Sequence, residues 1–329
     1  MASLDNTVYS GKQFESYVSL QSDALGTNDV SGTLYKIRTP EVNDIDYSAG
    51  STFADAIRSG QRVQRPTDHI AIFKGGTFTW SFSDYVVESE AVIQLLLQLV
   101  SEDTSPSATV AITGNQGTVA YEEGASTGEY ACVVISSPDT DEDKLMFSSI
   151  LEELTLTLNP TVNGGRLTAA GRFWSGYQPV IGSESTSANA TAADYTQGFF
   201  DCTEMTIGGD YVVLNNFDIT ISNPATRIGY STVNSIEAEP SAYMRGGMIE
   251  VTGNVSAKLD DNVTDTIADF TAGTSVNISM GDGAAIDFDI PTAKYTGYTH
   301  TSTDSGVFID LPFKGTADGS GALITIIAT

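Results

Sequence analysis

Cysteine, histidine, tryptophan and positive charge are all scarce in this sequence. Its 329 residues include 2 cysteines, 2 histidines and 2 tryptophans, and 15 lysines and arginines stand against 42 acidic residues. Cys132 and Cys202 have no CxxC spacing, which argues against a disulfide framework or a zinc site and for two isolated buried thiols. His69 and His300 each stand alone on a polar stretch, with no second His or Cys at ligand spacing and no GxSxG elbow. A transition-metal site and a Ser-His-Asp hydrolase are both disfavoured, and the chain is read as not being an enzyme. A net charge of -27 works against gripping nucleic acid or an anionic membrane, since both need clustered cations to displace counterions. No stretch approaches the roughly 20 apolar residues of a membrane span. The opening "MASLDNTVYSGKQFESY" has neither a positive segment nor an apolar core, so the expectation is synthesis and assembly in the cytoplasm.

Other constellations fail on their details. Asp139, Asp141 and Asp143 match the first, third and fifth ligands of a calcium loop, but Lys144 stands where glycine is needed and Ile150 where glutamate is. The segment is read as a solvated acidic loop. "GDGAAID" at 281–287 lacks the third glycine of a dinucleotide fingerprint. The carboxylate pairs Asp44/Asp46 and Asp287/Asp289 sit at i and i+2 on strand-like runs, so each pair shares one face. A glycosidase would also need an aromatic cleft, whereas Trp80 and Trp174 lie inside alternating core patterns. No cofactor or metal is expected.

Period-two alternation dominates what is present. "EELTLTLNP" (152–160), "GRLTAAGRFW" (165–174), "YVVLNNFDITISN" (211–223), "IDFDI" (286–290), "GVFIDLPFKG" (306–315) and "ALITIIAT" (322–329) put apolar residues on one face and Thr, Asp or Asn on the other. Turn residues such as Asn159-Pro160, Asn163-Gly164 and Gly208-Gly209 separate them. Between 181 and 198 the sequence is small and polar and reads as a linker.

Either side of that linker the same order of elements recurs. "GGTFTWSFSDYVVESEAVIQLLLQLVSED" (75–103) is a double glycine, an alternating strand and a helix whose stripe is Val92, Leu95, Leu96 and Leu99. "GGMIEVTGNVSAKLDDNVTDTIADFTAGTSVNIS" (246–279) repeats it with a weaker stripe of Val263, Ile267 and Phe270. The expected fold is mainly β: two tandem β-sandwich or barrel domains, each with one flanking α-helix, related by internal duplication. The expected divisions are an N-terminal extension at 1–31, a first domain at 32–180, the linker at 181–198 and a second domain at 199–329. Edge strands of such sandwiches would pair with neighbouring subunits and close a ring.

Against the acidic background, Arg58, Arg62, Arg65 and Lys74 cluster in the long connection before the first Gly-Gly strand. The corresponding connection of the second half carries Arg227 and Arg245. These cations are candidates for contact with an acidic neighbouring subunit, setting its register.

"LYKIRTPEVNDIDY", the Gly-Gly strand entering a helix, "ILEELTLTLNPTVNGGRLTAAGRFWSGYQPV" (150–180) and "CTEMTIGGDYVVLNNFDITISNP" (202–224) together resemble the major tail tube proteins of long-tailed bacterial or archaeal viruses. The resemblance extends over nearly the whole chain after residue 32. It implies a virion protein whose β-sandwiches form a pseudo-sixfold ring, three two-domain chains to a ring, stacked into a tube by a long loop. It implies as partners further copies of the chain and the tape measure, tail terminator and tail tip proteins, with double-stranded DNA passing unbound. By position, the loop at 48–74 matches the stacking loop, so Arg58, Arg62 and Arg65 are expected to contact the next ring. An acidic lumen would repel the duplex toward the axis, and Asp287 and Asp289 are candidates to line it. The competing reading is a non-catalytic two-domain β binding or adhesion module on a virion or cell surface.

Overall fold

A computed structural model describes residues 13–21, 25–27, 30, 33–40, 43–47, 52–53, 69–70, 76–101, 109–113, 119–122, 130–138, 142–182, 198–202, 204–229, 240, 242–260, 263, 266–281, 286–303, 306–317 and 321–328. Of these, 59% lie in strands, and two segments are α-helical.

The strands in order are β1 (Glu15–Leu20), β2 (Tyr35–Ile37), β3 (Thr52–Phe53), β4 (His69–Ile70), β5 (Phe78–Val86), β6 (Thr109–Thr113), β7 (Val119–Glu122), β8 (Ala131–Ser136), β9 (Asp143–Leu158), β10 (Thr168–Ser175) and β11 (Val180–Gly182). The chain continues with β12 (Met205–Ile207), β13 (Asp210–Tyr211), β14 (Leu214–Ser222), β15 (Thr226–Ile228), β16 (Ala242–Arg245), β17 (Glu250–Lys258), β18 (Val276–Met280), β19 (Ile286–Tyr295), β20 (Thr299–Thr303), β21 (Gly306–Gly315) and β22 (Ala322–Ala328). Helix α1 is Glu90–Ser101 and helix α2 is Thr266–Ala272.

Every pairing is antiparallel, and one run of strands crosses the whole chain in the order β5, β10, β9, β14, β17, β21, β20. Residues 43–47 lie along the outer side of β5, where Asp46 bridges Thr79 and the Trp80 Nε1–H donates to the Asn43 carbonyl at 2.9 Å. This long sheet forms because its strands alternate. In β14, Phe217, Ile219 and Ile221 are buried while Asp218, Thr220 and Ser222 are half-buried on the other face.

Other strands form the layers behind it. In the first half β2, β1, β8, β9 and β11 pair in that order; in the second, β13, β12, β18, β19 and β22 do, with β6 of the first half added beside β22. One strand in each half passes from one layer to the other. Residues 143–149 of β9 pair with β8 and β11, and its remainder with β10 and β14. Its bend is at Ser148, whose φ of 49° lies in the left-handed region. Buried Gln21 holds it there: the Ser148 N–H donates to Gln21 Oε1 at 2.6 Å. In β19, residues 286–289 pair with β22 and residues 293–295 with β21, and Pro291 lies between.

A continuous apolar core runs through both halves, from Val18 and Trp80 through Leu96 and Phe217 to Phe313 and Ile326. Helix α1 lies within it. Val92, Ile93, Leu95, Leu96, Leu97, Leu99 and Val100 are all buried, so the helix is apolar well beyond the stripe its spacing marks. Two glycines admit aromatic rings over the sheet: a Cβ on Gly171 would meet the Phe82 ring at 2.7 Å, and one on Gly253 the Phe313 ring at 2.6 Å.

Three differences from the sequence reading stand out. Residues 15–20, assigned to an extension, form a strand between β2 and β8, with Tyr17 and Val18 buried. Strands of the two halves share backbone pairings at β9–β14, β6–β22 and β7–β16 instead of standing in separate sheets. Helix α2 leaves Ile267 and Phe270 exposed: its two turns bury only Thr266, and the other buried anchor, Val263, precedes the helix.

Candidate functional site

Four features of the long sheet are candidates for function: its polar face, its two outer edges among the described residues, the end from which long connections leave, and the opposite end. The polar face carries no aromatic ring from the central strands, and its charges are of mixed sign: Arg172, Glu153, Asp218, Glu250, Asp310 and Lys314 lie among its hydroxyl and amide side chains. Across it, in register, run Ala170, Thr155, Thr220 and Thr252, with Thr168, Thr157, Asp218 and Asn254 in the next row. Thr155 and Thr220 share a hydroxyl hydrogen bond of 2.8 Å over the junction between the two halves. Asp218 is half-buried in this face, and burial raises its carboxyl above the usual aspartate value. In the adjoining row Arg172 pairs with Glu152 at 3.3 Å, and Lys314 pairs with Glu250. Burial raises the Glu152 carboxyl, and the Arg172 charge opposes that rise.

At one edge the sheet ends with residues 43–47 beside β5; at the other, β20 pairs only with β21 among the described residues. The order of strands repeats. In the first half it is 43–47, β5, β10, β9, and in the second it is β14, β17, β21, β20. The β9–β14 junction therefore joins the last strand of one set to the first strand of the next.

The connections 48–77 and 223–249 both leave and re-enter at the same end of this sheet, since β5 and β17 begin where residues 43–47 and β14 finish. The first is closed at its base by β3 and β4, with Thr52 opposite Ile70 and Phe53 opposite His69. Arg58, Arg62, Arg65 and Lys74 lie outside the described residues. Arg227 and Arg245 are described, and both turn inward onto the first half. Arg227 donates through Nη2 to the Gly76 carbonyl and, at 3.3 Å, to Thr77 Oγ1. Arg245 is only 3% exposed. Its Nη1 donates to the Asn223 carbonyl at 2.6 Å and its Nη2 to the Leu99 carbonyl at 3.0 Å, while Asn223 Nδ2 donates to the Val100 carbonyl at 2.8 Å. Arg245 thus caps the C-terminus of α1, where a cation also complements the helix dipole. Its position in a long connection suggests an outward role; folding of the connection onto α1 gives it an internal one.

No family model matches the chain, and no curated protein matches it.

Asp287 and Asp289 lie on β19 in the second layer, half-buried, opposite Ile327 and Thr325 of β22. Asp289 accepts from Asn277 Nδ2 at 3.0 Å. They do not share the polar face of the long sheet. The hydroxyl-rich face was legible in the Thr, Asp and Asn positions of "EELTLTLNP" and "NNFDITIS"; that the two runs lie side by side was not.

The remaining candidates are accounted for locally. Trp80 and Trp174 are buried in the core. Asp143 is buried and accepts from the Ser137 N–H at 2.6 Å, whereas Asp139 and Asp141 lie outside the described residues. Among the described residues, no group of three or more His, Cys, Asp or Glu is placed to hold a metal ion. His300 Nε2 bonds Tyr298 Oη at 2.8 Å. Cys132 is buried against Gln21, and Cys202 is half-buried near the Gly198 carbonyl. No helix among the described residues is long and apolar enough to cross a membrane.

Proposed function

We propose that this chain is a non-catalytic structural subunit that closes into rings and stacks as a tube, in the manner of the tail tube proteins it resembles. The observation that carries this reading is the repeated strand order within one continuous sheet. Because β9 of the first half already accepts β14 of the second, the outer β20 edge can accept residues 43–47 of a neighbouring copy through the same kind of junction. Such addition is heterologous, one edge of each copy meeting the other edge of the next, so it closes into a ring when the rotation per chain divides a full turn. Two sets of strands per chain and three chains per ring would give pseudo-sixfold symmetry, the tandem arrangement the sequence suggests. Ring closure also removes both exposed edges, which a soluble sheet otherwise has to protect.

In this reading the polar face of the long sheet lines the lumen. Threonine, serine and asparagine offer hydration without a row of cations, so a DNA duplex passes without counterion release holding it. The surplus of acid across the chain keeps the wall and its surroundings repulsive to phosphate. The chain would then lie in a virion tail, with further copies and the tail's tape measure, terminator and tip proteins as its neighbours.

Thr301→Pro tests the edge. It removes a backbone donor from β20 and obstructs a further strand. The expected result is a folded protein with a normal far-ultraviolet spectrum that no longer forms rings; rings of unchanged mass would refute the edge pairing.

A further inference from the structure

At the end of the long sheet opposite the long connections, β9 turns into β10 through residues 159–167, and this turn holds the chain's only Asn-Gly pair, Asn163-Gly164. Three successive residues there take left-handed backbone: Asn163 at a φ of 50°, Gly164 at 68° and Gly165 at 81°. Asparagine is one of the few residues besides glycine that enter this region readily. Asn163 and Gly164 are both exposed, and a Cβ on Gly164 would meet nothing within 4 Å. The hydrogen bonds of the turn lie elsewhere. The Gly165 N–H donates to the Val162 carbonyl at 2.9 Å, and the Thr161 N–H and hydroxyl donate to Asn159 Oδ1 at 2.9 and 2.7 Å. Neither the Asn163 carboxamide nor the Gly164 N–H bonds to a described residue. Other asparagines are placed differently. Asn159 and Asn223 precede proline, which has no N–H. Asn254 lies in β17 between β14 and β21, and Asn277 in β18 between β12 and β19.

We propose that Asn163 is a self-modification site, where the chain converts the asparagine to aspartate and isoaspartate without an enzyme. The Gly164 nitrogen attacks Asn163 Cγ. A C–N bond forms, the bond from Cγ to Nδ2 breaks, and ammonia leaves with the proton that the Gly164 nitrogen gives up. Water then opens the resulting five-membered imide at either carbonyl. Opening at Cγ leaves aspartate; opening at the main-chain carbonyl carries the backbone through Cβ and leaves isoaspartate. Either product adds one negative charge. Glycine makes the attack feasible, because no side chain shields its nitrogen and its backbone rotates freely outside the strands. The turn is also a seat for the chain entering the second half. Arg166 bridges Gly198, a Cβ on Gly165 would meet the Phe200 ring at 2.7 Å, and a Cβ on Gly198 would meet the Gly165 carbonyl oxygen at 2.2 Å. Isoaspartate lengthens the main chain by one atom immediately before this close packing, so it loosens the hold on residues 198–201. This chemistry is independent of any assembly of copies.

The test ages full-length protein at mildly alkaline pH, folded in buffer and unfolded in guanidinium chloride, and follows the peptide spanning Asn163 by mass spectrometry, with electron-transfer fragmentation to separate aspartate from isoaspartate. In folded protein that peptide should gain about 1 Da, with isoaspartate among the products. Its rate should lie within about threefold of the unfolded rate, since no local opening is needed first. Peptides holding Asn254 and Asn277 should stay unchanged in the folded protein, and Asn163→Gln should abolish the gain. Hydrogen exchange at residues 198–201 should be faster in aged than in fresh protein, and unaltered by the same ageing of Asn163→Gln. A folded-state rate more than about tenfold below the unfolded rate would show that the turn shields Asn163 and would overturn the assignment. Modification with unchanged exchange at 198–201 would overturn the coupling to that segment.

Discussion

Replacing Arg245 with methionine should cost more stability than any single surface change, because three main-chain carbonyls near the end of α1 depend on this corner. Arg245 itself satisfies the Asn223 and Leu99 carbonyls, and Asn223 satisfies that of Val100. Methionine fills a similar volume but leaves two buried acceptors without donors. At about 1–3 kcal/mol for each buried group left unsatisfied, the loss is roughly 2–6 kcal/mol. With unfolding entropy near 2.1 cal/mol/K per residue over 329 residues, that corresponds to a fall in Tm of about 3–9 °C. Arg245→Lys keeps the charge but not the planar fork, so it should fall between wild type and methionine. Asn223→Ala should cost less, about 1–3 kcal/mol. In a double-mutant cycle the two losses should be less than additive, since both remove restraint from the same helix end. The assay is urea unfolding followed by tryptophan fluorescence, which reports on buried Trp80 and Trp174. A change of less than about 0.5 kcal/mol for Arg245→Met would refute the capping role and return Arg245 to the candidates for contact between copies.

Asp218→Asn should raise stability at pH 7. The folded carboxyl has its pKa raised by burial, so the ionised form is disfavoured on folding above that pKa; the advantage of the amide variant should shrink as pH falls through the acid range, and an advantage that grew with acidity would contradict the assignment. Glu15 has the opposite sign. Its hydrogen bonds from Lys36 and Tyr17 lower its pKa, so the stability it contributes is present at neutral pH and lost as pH falls, and Glu15→Gln should flatten that limb of the pH–stability curve. Thr155→Val and Thr220→Val should each be mildly destabilising and should couple by about 0.5–1.5 kcal/mol in a cycle, because they share one hydrogen bond across the two halves; additive losses would show that bond contributes nothing. Gly253→Ala should cost about 1–3 kcal/mol or more by pressing the new methyl against the Asp218 carbonyl oxygen of β14 as well as the Phe313 ring, read as a fall in the urea midpoint.

The parts of the fold that were legible in the sequence are those in which one local period decides the structure. Alternation in "EELTLTLNP" and "LNNFDITIS" marks β9 and β14, and the leucines after Glu90 mark α1. Pairings between distant segments follow no local period. The β9–β14 and β6–β22 ladders join residues far apart in the chain, so their placement depends on the closed core instead of on either strand alone. Strand β1 was missed because "ESYVSL" alternates weakly and is short. For the candidate site, the spacing of Asp287 and Asp289 showed that they share a face but could not show which layer that face belongs to. The burial of Arg245 was equally hidden, since a cation in a glycine-flanked connection reads as solvated until the helix end it caps is in place.

The central claim is that the outer edges of the sheet, at β20 and at residues 43–47, join copies into a closed ring. Size-exclusion chromatography with light scattering, on the same sample viewed by negative-stain electron microscopy, tests it most directly. The account predicts rings with the mass of three 34.8 kDa chains, or hollow rods built from them. A monodisperse monomer at every concentration, still monomeric after addition of tail-tip components, would contradict it.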